Sequence, residues 1–186
     1  RKLVQKGELG KIRIVKGAYL QGWLGSKEEA TGSNKQAEWR TDPTRSGAAG
    51  AVGDIGSHTM HLIEFITGLK LQSVAADLTI FVEDRKLDDD ASILIRMNDG
   101  VKGSLSISQI ATGEENNFSI SIYGDKGALH WRQENPNYAT LSKVDKPNQI
   151  ITRGGPIQQD GSLANLRIPS GHPEGFLEAF AQIYTD

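Results

Sequence analysis

The alternation of hydrophobic and polar positions predicts that most of the chain is β-strand. Apolar residues at Ile12 and Ile14, with polar ones between, predict a strand over 11–23. The same reasoning predicts further strands over 73–82, 91–97, 101–110, 118–124, 127–133 and 138–144. Tight-turn residues at Asn98-Asp99-Gly100 and Asp125-Lys126 predict hairpins. Strands that follow one another through short turns indicate an antiparallel sheet.

Helical patterns lie before, within and after this series of strands. Residues 1–8 suit a short helix closed by Gly10, residues 53–68 suit a longer one capped by Gly68, and another begins near Pro173. The stretch 25–53 is rich in Gly, Ser, Thr and charge, and a loop of that length is more often functional than not. We therefore expect one α+β domain over 1–186, an open, mostly antiparallel sheet with helices on one face.

The helix over 53–68 carries an unusual polar stripe. Asp54, His58, His61 and Glu64 follow at spacings of 4, 3 and 3, which places them close to one helix face. The expected apolar face is separate and consists of Ile55, Leu62, Phe65 and Ile66. The stripe could be a solvated surface, a metal site, or a site of proton chemistry in which His58 acts as acid or base. Gly53 and Gly56 permit an unusual start to the helix.

Other candidates lie outside the helix. The long loop and the strand before it carry five aromatic or polar candidates: Tyr19, Gln21, Trp23, Trp39 and Arg40. Aromatic faces of this kind can stack on sugar or nicotinamide rings, and Arg or Gln can donate to hydroxyls. The alternative is that both tryptophans anchor the loop in the core. His172, in SGHPEGF, either points into a cleft or belongs only to the N-cap region of a helix. Residues 88–90, three aspartates, predict a solvated turn.

Composition narrows the possible partners. The 186 residues include 21 Lys and Arg against 23 Asp and Glu, so a net charge of −2 gives no reason to expect nucleic acid. No apolar run approaches a membrane span. The absence of cysteine excludes thiolate chemistry and fits a reducing compartment, so we expect a cytoplasmic protein. Helical patterns run into both ends of the chain, which suggests a piece of a longer protein.

Several motifs together resemble the C-terminal domain of the Gfo/Idh/MocA family of oxidoreductases, named for glucose–fructose oxidoreductase, inositol dehydrogenase and MocA. They are GELGKI (7–12), the Trp-Arg loop, GDIGSH (53–58), YGDKGAL (123–129) and GHPEGFLEAFAQIY (171–184). The resemblance covers essentially the whole chain. It implies a sugar, polyol or sugar derivative as substrate and NAD or NADP as cofactor. It also implies a homodimer or larger oligomer formed through the open face of the sheet.

The resemblance assigns roles to individual residues. Asp54 and His58 match the family's catalytic Asp and His, while the catalytic Lys belongs to an N-terminal Rossmann domain and lies in a Glu-Lys-Pro motif. This chain has neither that motif nor a GxGxxG fingerprint in a βαβ setting. Many members carry Asp or Asn where His61 stands here. The remaining candidates fall into two sets: for substrate, Gln21, Trp39, Arg40, His61 and His172; for the nicotinamide side, Trp39 and Arg40.

Two other classes of function stay open at this point. A non-catalytic assembly or binding domain could keep the fold without the chemistry. A metal-dependent hydrolase is the other, but the two histidines stand at i and i+3 rather than at the HExxH spacing, so we expect no bound metal.

Overall fold

The structure, a computed structural model, describes residues 1–153. The helix predicted near Pro173 and the candidate His172 lie outside the described residues. The helices are α1 Lys2–Gln5, α2 Lys35–Arg40, α3 Pro43–Ser46 and α4 Ser57–Thr67. The strands are β1 Ile12–Leu20, β2 Leu71–Thr79, β3 Asp90–Met97, β4 Lys102–Ser108, β5 Asn117–Gly124, β6 Gly127–Arg132, β7 Tyr138–Lys143 and β8 Gln149–Thr152. Within this part of the chain, no helix is long and apolar enough to cross a membrane.

All eight strands join one open sheet in the order β2-β3-β4-β1-β5-β6-β7-β8. Only β1 and β4 pair in parallel among the described strands, so the predicted mostly antiparallel α+β fold is confirmed. Both predicted hairpins form. In the turn between β3 and β4, Asp99 and Gly100 adopt positive φ angles of 59° and 76°, the conformation such turns favour in Asn, Asp and Gly. Strand β8 was not predicted.

The inward phase of β1 is set by Val15, Gly17 and Tyr19. Val15 is fully buried, whereas Ile14 is 43% exposed. The pairing of β1 with β5 shifts register between Ile12 and Ile14, so the alternation that begins at Ile12 does not continue inward. A bulge of this kind moves every later side chain to the other face, which residue type alone does not reveal.

Helix α4 packs across β1 and β5 through a face centred on Ile63 and Thr59, both fully inaccessible to solvent. Gly17 lies directly beneath it: a Cβ at this position would stand 2.4 Å from the Thr59 Cγ2. The close approach of helix and sheet therefore requires glycine. Phe65, expected on the apolar face, is instead 51% exposed, so the predicted face was wrong at that position. Gly68 caps the helix at φ 76°, as predicted.

The long stretch between β1 and α4 is more regular than a loop. It contains a short 3-10 helix over Glu28–Thr31 as well as α2 and α3. Asn34 caps α2 by accepting from the Ala37 N–H at 3.2 Å, and Asp42 caps α3 by accepting from the Thr44 N–H at 2.9 Å. The expectation of an irregular loop was therefore wrong over these helices. The two caps fix where α2 and α3 begin.

The opposite face of the sheet carries none of these helices. A depression of about 850 Å³ runs across it and is floored largely by small side chains, among them Ala18, Ser92, Ser104, Ser106, Ser119 and Ser121. Lys16 and Asp77 also border it. Leu94 is the large apolar side chain here, 61% exposed. Val74 and Leu78 pair with the inward-facing β3 residues Ile95 and Ala91, and so lie on the helix side.

Candidate active site

A cleft of about 390 Å³ opens where β1 ends, between α2 and the start of α4. Its walls are Tyr19, Gln21, Trp23, Asn34, Gln36, Arg40, Asp54, Ile55 and His58. Six of the candidates named from the sequence therefore meet in one place: Tyr19, Gln21, Trp23, Arg40, Asp54 and His58. The larger depression on the open face shares none of these side chains. The cleft lies on the helix side of the sheet, since Tyr19 belongs to the inward phase of β1.

A π-helical turn over Val52–Gly56 leads directly into α4 and carries Asp54. The Ser57 N–H donates to the Val52 carbonyl, five residues back, instead of the usual four. This confirms the unusual helix start indicated by Gly53 and Gly56. Turns of this type occur mostly as single insertions into helices and frequently at functional sites. Here the turn places the Asp54 side chain in the cleft, about one helical turn before His58.

The turn is braced by Asp88, which was predicted to be solvated. Its two carboxylate oxygens accept from the Gly50 N–H at 2.7 Å and from the Val52 N–H at 2.8 Å. Its neighbour Asp89 is only 2% exposed and accepts from two backbone N–H groups of the segment after β2 and from Arg85. The solvated-turn prediction was therefore wrong at 88 and 89. Buried carboxylates are stabilised by such donors, and these two tie distant loops together.

Asp54 is held by two donors on one oxygen. Arg40 Nε donates to Asp54 Oδ2 at 2.8 Å, and Gln109 Nε2 donates to the same oxygen at 2.7 Å. Within residues 1–153 the second oxygen, Oδ1, makes no hydrogen bond that would occupy it. A carboxylate clamped through one oxygen keeps acceptor capacity on the other. Asp54 Oδ1 is thus able to accept a hydrogen bond from a hydroxyl group of a molecule in the cleft.

Arg40 is itself fixed on several sides. Its guanidinium lies 4.2 Å from the Trp39 ring centroid and 5.8 Å from that of Trp23, and Nη1 donates to Gln36 Oε1. Stacking on aromatic faces and a charge-assisted bond together hold the planar group. Arg40 lines the cleft, but its Nε is committed to Asp54. Its predicted contact with substrate or nicotinamide stays a prediction, as does that of Trp39, which supports Arg40.

A chain of hydrogen bonds stiffens the opposite wall. Trp23 Nε1 donates to Gln21 Oε1 at 3.0 Å, and Gln21 Nε2 donates to Asn116 Oδ1 at 3.0 Å. The Tyr19 hydroxyl donates to the same Asn116 oxygen at 2.7 Å. Both ends of the Gln21 amide are therefore used within the protein. Gln21 positions Trp23, and the indole supplies an aromatic wall of the cleft.

His58 stands exposed at the mouth of the cleft. Its ring centroid is 6.5 Å from that of Tyr19, at an interplanar angle of 58°. In the described part of the chain, no hydrogen bond joins His58 to Asp54, whose Oδ2 turns instead to Arg40 and Gln109. This geometry does not let Asp54 orient the His58 ring, and it leaves the Asp54 carboxylate able to hold a hydroxyl group of a bound molecule.

The rest of the polar stripe leaves the cleft. His61 is exposed beside Phe65, with ring centroids 6.4 Å apart, and is not among the residues that line the cleft. Glu64 accepts from Lys70 Nζ at 2.9 Å and from the Leu71 N–H at 3.1 Å. These two bonds, the one to Lys70 first, hold the pKa of Glu64 below its ordinary value. Glu64 therefore joins the end of α4 to the start of β2.

Residues 1–153 contain no group of three or more His, Asp or Glu side chains arranged to hold a metal ion.

Sequence reasoning missed three polar residues that shape the site: Asp88, Gln109 and Asn116. A signal for Gln109 was present, because it continues the inward alternation of Leu105 and Ile107 in SLSISQI. A polar residue in a buried phase requires a partner. Nothing local indicated which partner it would find.

Comparison with known proteins finds relatives of this domain in both sequence and structure. The family described as the GFO/IDH/MocA C-terminal domain matches residues 1–130. The uncharacterized oxidoreductase YfiI of Bacillus subtilis is 32% identical over 186 residues, which is 99% of this chain and 47% of that protein. An inositol dehydrogenase homolog from Azotobacter vinelandii, solved as a complex with NAD⁺, superimposes with a TM-score of 0.85 at 30% identity, covering 98% of this chain and 47% of that one.

A third relative is the levoglucosan dehydrogenase of Pseudarthrobacter phenanthrenivorans, 25% identical over 157 residues, or 72% of this chain and 38% of that protein.

Fold and relatives define the class first: an α+β domain of the type found in sugar-acting oxidoreductases. The chain belongs to the GFO/IDH/MocA family and matches its C-terminal domain. It spans about half the length, or less, of the curated relatives it matches.

Proposed function

We propose that this domain is the substrate-binding and catalytic half of an NAD(P)-dependent dehydrogenase that acts on a sugar, a polyol or a sugar derivative. The observation that carries the proposal is the pairing of a clamped Asp54 carboxylate with an exposed His58 in one cleft. The cleft walls combine an indole and a phenol with amide groups, a lining suited to a ring that bears hydroxyls. The names of two relatives, inositol dehydrogenase homolog and levoglucosan dehydrogenase, agree with this substrate class.

The chemistry assigned to this chain is removal and return of a hydroxyl proton. Asp54 Oδ1 accepts the hydrogen bond of a substrate hydroxyl and so orients the carbon that carries it. His58 is the acid/base group, because an imidazole ring can take up and release a proton and this ring lies exposed in the same cleft. A nicotinamide cofactor, when bound, accepts or supplies the hydride, and that chemistry belongs to the cofactor. The clamp keeps the Asp54 carboxylate in position while the proton moves.

The fit of this domain to the cofactor is limited to one end. The chain has no glycine-rich βαβ fingerprint for a pyrophosphate, so the described residues offer the nicotinamide end only aromatic and cationic surfaces, those of Trp39 and Arg40. We propose that a separate N-terminal Rossmann domain of the full-length protein binds most of the dinucleotide. Isolated residues 1–186 should then show no micromolar affinity for NAD or NADP in calorimetric titration.

The test uses the full-length protein. Reduction of NAD and of NADP is followed by absorbance with a panel of polyols, free sugars and anhydrosugars as substrates. Turnover with members of this panel, abolished or strongly reduced in Asp54→Asn and His58→Ala proteins that still fold, supports the proposal. A folded protein that binds the cofactor and oxidises no member of the panel contradicts it. That result would favour the rival role of a non-catalytic binding or assembly domain.

We also propose that two copies associate through the open face of the sheet. The depression on this face is lined largely by serine and alanine, so another sheet can approach closely, with Leu94 as an exposed apolar contact. Lys16 and Asp77 on the same face supply opposite charges for such a contact. The exposed apolar residues Val74 and Leu78 do not contribute to this contact, because they lie on the helix side of the sheet.

A further inference from the structure

Gln109 follows β4 and is almost entirely buried, with 3% of its surface exposed. Its backbone is fixed on both sides: the N–H donates to the Asp89 carbonyl at 2.9 Å, and the carbonyl accepts from the Leu24 N–H at 3.0 Å. Its side chain donates from Nε2 to Asp54 Oδ2 at 2.7 Å, a contact between residues 55 apart in sequence. The amide therefore connects the rigid sheet to the carboxylate of the candidate site.

We propose that Gln109 is a positioning residue, which fixes the Asp54 carboxylate relative to the sheet so that Oδ1 faces the cleft. This inference rests on the proposed function. Asp54 sits on a π-helical turn, and its other donor, Arg40, sits on a short six-residue helix, so of the two donors Gln109 is the one that links the carboxylate to the sheet. Gln109 does so because its backbone is anchored at both ends. Being neutral, it orients the carboxylate without cancelling the negative charge.

The charged groups around Gln109 define what a substitution would do. Arg40, Arg85, Asp88 and Asp89 line a small void that Gln109 also lines, and His58 follows Asp54 by one turn. The carboxylates of 88 and 89 are turned to backbone N–H groups. Arg40 is thus the cation in direct contact with Asp54. Replacing Gln109 by Glu removes a donor and sets a second carboxylate against Asp54 Oδ2, and two such groups hold a proton between them.

Activity of the full-length enzyme provides the first test. Gln109→Met keeps the volume but loses the bond to a charged group, so kcat should fall about 10- to 100-fold with the KM for cofactor unchanged. Gln109→Glu should be active mainly at acid pH, where a protonated Glu can still donate to Asp54. Gln133→Met is the matched control: Gln133 is also buried, 6% exposed, and lies outside the cleft lining. Full kcat and an unchanged pH profile in both Gln109 variants would overturn the proposal.

Thermal stability provides the second test, and it does not depend on turnover. In Gln109→Glu the shared proton raises the pKa of the carboxyl pair in the folded state. Stability relative to the wild type is therefore retained in acid and lost as pH rises through that pKa, so the gap in Tm should widen between pH 5 and 8. In the double variant Gln109→Glu/Asp54→Asn, the Asn amide can donate to the Glu carboxylate, so the hydrogen bond is restored with donor and acceptor exchanged. Tm at pH 8 should then recover, whereas activity should not.

The two tests fail separately. A Tm gap that is independent of pH and is not rescued by Asp54→Asn would disprove the contact between Gln109 and Asp54, whatever the enzyme does. A rescued gap in a protein that oxidises none of the substrate panel would confirm the contact but overturn both the positioning role in catalysis and the proposed function.

Discussion

Arg40 and Asp54 form a partly buried ion pair between α2 and the π-helical turn, with Nε and Oδ2 2.8 Å apart and side chains 23% and 25% exposed. The pair lines the candidate cleft and joins α2 to the turn that leads into α4. Arg40 was predicted from sequence to be a ligand contact, but its principal partner is the catalytic candidate itself. Arg40, at the end of α2, therefore contacts the site through Asp54.

The first prediction concerns this pair. If the full-length protein has the proposed activity, Arg40→Ala should lower its kcat by about 10- to 100-fold, because a charge-assisted hydrogen bond contributes about 1.5–3 kcal/mol. Steady-state kinetics with NAD(P) and the best substrate of the panel would measure it. Arg45→Ala, which removes an exposed arginine of α3, is the control and should change kcat little. An Arg40→Ala enzyme with unchanged kcat would show that Gln109 alone suffices to hold Asp54.

His58→Ala should lower kcat by about 10²–10⁴-fold, the typical contribution of a positioned acid or base. Folding and cofactor affinity should be nearly unaffected, because the ring is exposed and makes no hydrogen bond within residues 1–153. The measurement is the pH dependence of kcat between pH 6 and 9. His61→Ala is the matched control on the same helix and should be close to wild type. Near-normal turnover by His58→Ala across this range would contradict the acid/base role and show that His58 is only part of a solvated helix face.

Gly17→Ala should destabilise the domain by about 1–3 kcal/mol, the typical effect of overpacking a core. The added Cβ would meet Thr59 Cγ2 at 2.4 Å and force α4 away from β1. Denaturant unfolding of the full-length protein would measure the loss. Gly56→Ala is the control, since its Cβ would meet ordinary contacts at 3.5 Å or more. Adding Thr59→Ser to Gly17→Ala removes the clashing methyl and should restore part of the stability; no restoration would place the strain elsewhere.

Glu64→Gln should destabilise the protein modestly at neutral pH, by at most about 1 kcal/mol, because the bond to Lys70 is exposed. The folded-state pKa of Glu64 lies below its ordinary value of 4.5, so its contribution is present above that value and disappears as pH falls through the folded pKa. The Tm difference between wild type and variant should therefore shrink between pH 6 and 3. Glu115→Gln, at an exposed position, should show no comparable trend. An equal difference at every pH would mean that charge is not involved.

Self-association through the open face should be disrupted by Ser106→Arg, which places a long cation on the serine floor of the depression. Light scattering at tens of micromolar protein, a range in which sizeable interfaces persist, would measure it. Asn148→Arg adds the same charge at an exposed position before β8 and should leave the assembly intact. A wild-type monomer under these conditions would contradict the interface, and an unchanged oligomer in Ser106→Arg would move it to another surface.

Much of the fold followed from local pattern. The hairpins between β3 and β4 and between β5 and β6 form where turn residues interrupt alternation, because the turn and its flanking strands are adjacent in sequence. Asp54 and His58 share the cleft because residues four apart on a helical segment face the same way. The sequence also identified the family through motifs that keep this local geometry. Information of this kind needs only the periodicity of a helix or a strand.

The tertiary structure alone decided what each polar residue contacts. Asp54 meets Gln109 across 55 residues, Asp88 meets Gly50 across 38, and Glu64 turns away from the cleft to Lys70. The parallel pairing of β1 with β4 brings Gln109 beneath the π-helical turn, and no local signal predicts that pairing. The sequence by itself therefore determined which residues could take part in the chemistry. Only the packing of the helices on the sheet decided their partners, because a buried polar group takes whichever donor or acceptor the fold brings within reach.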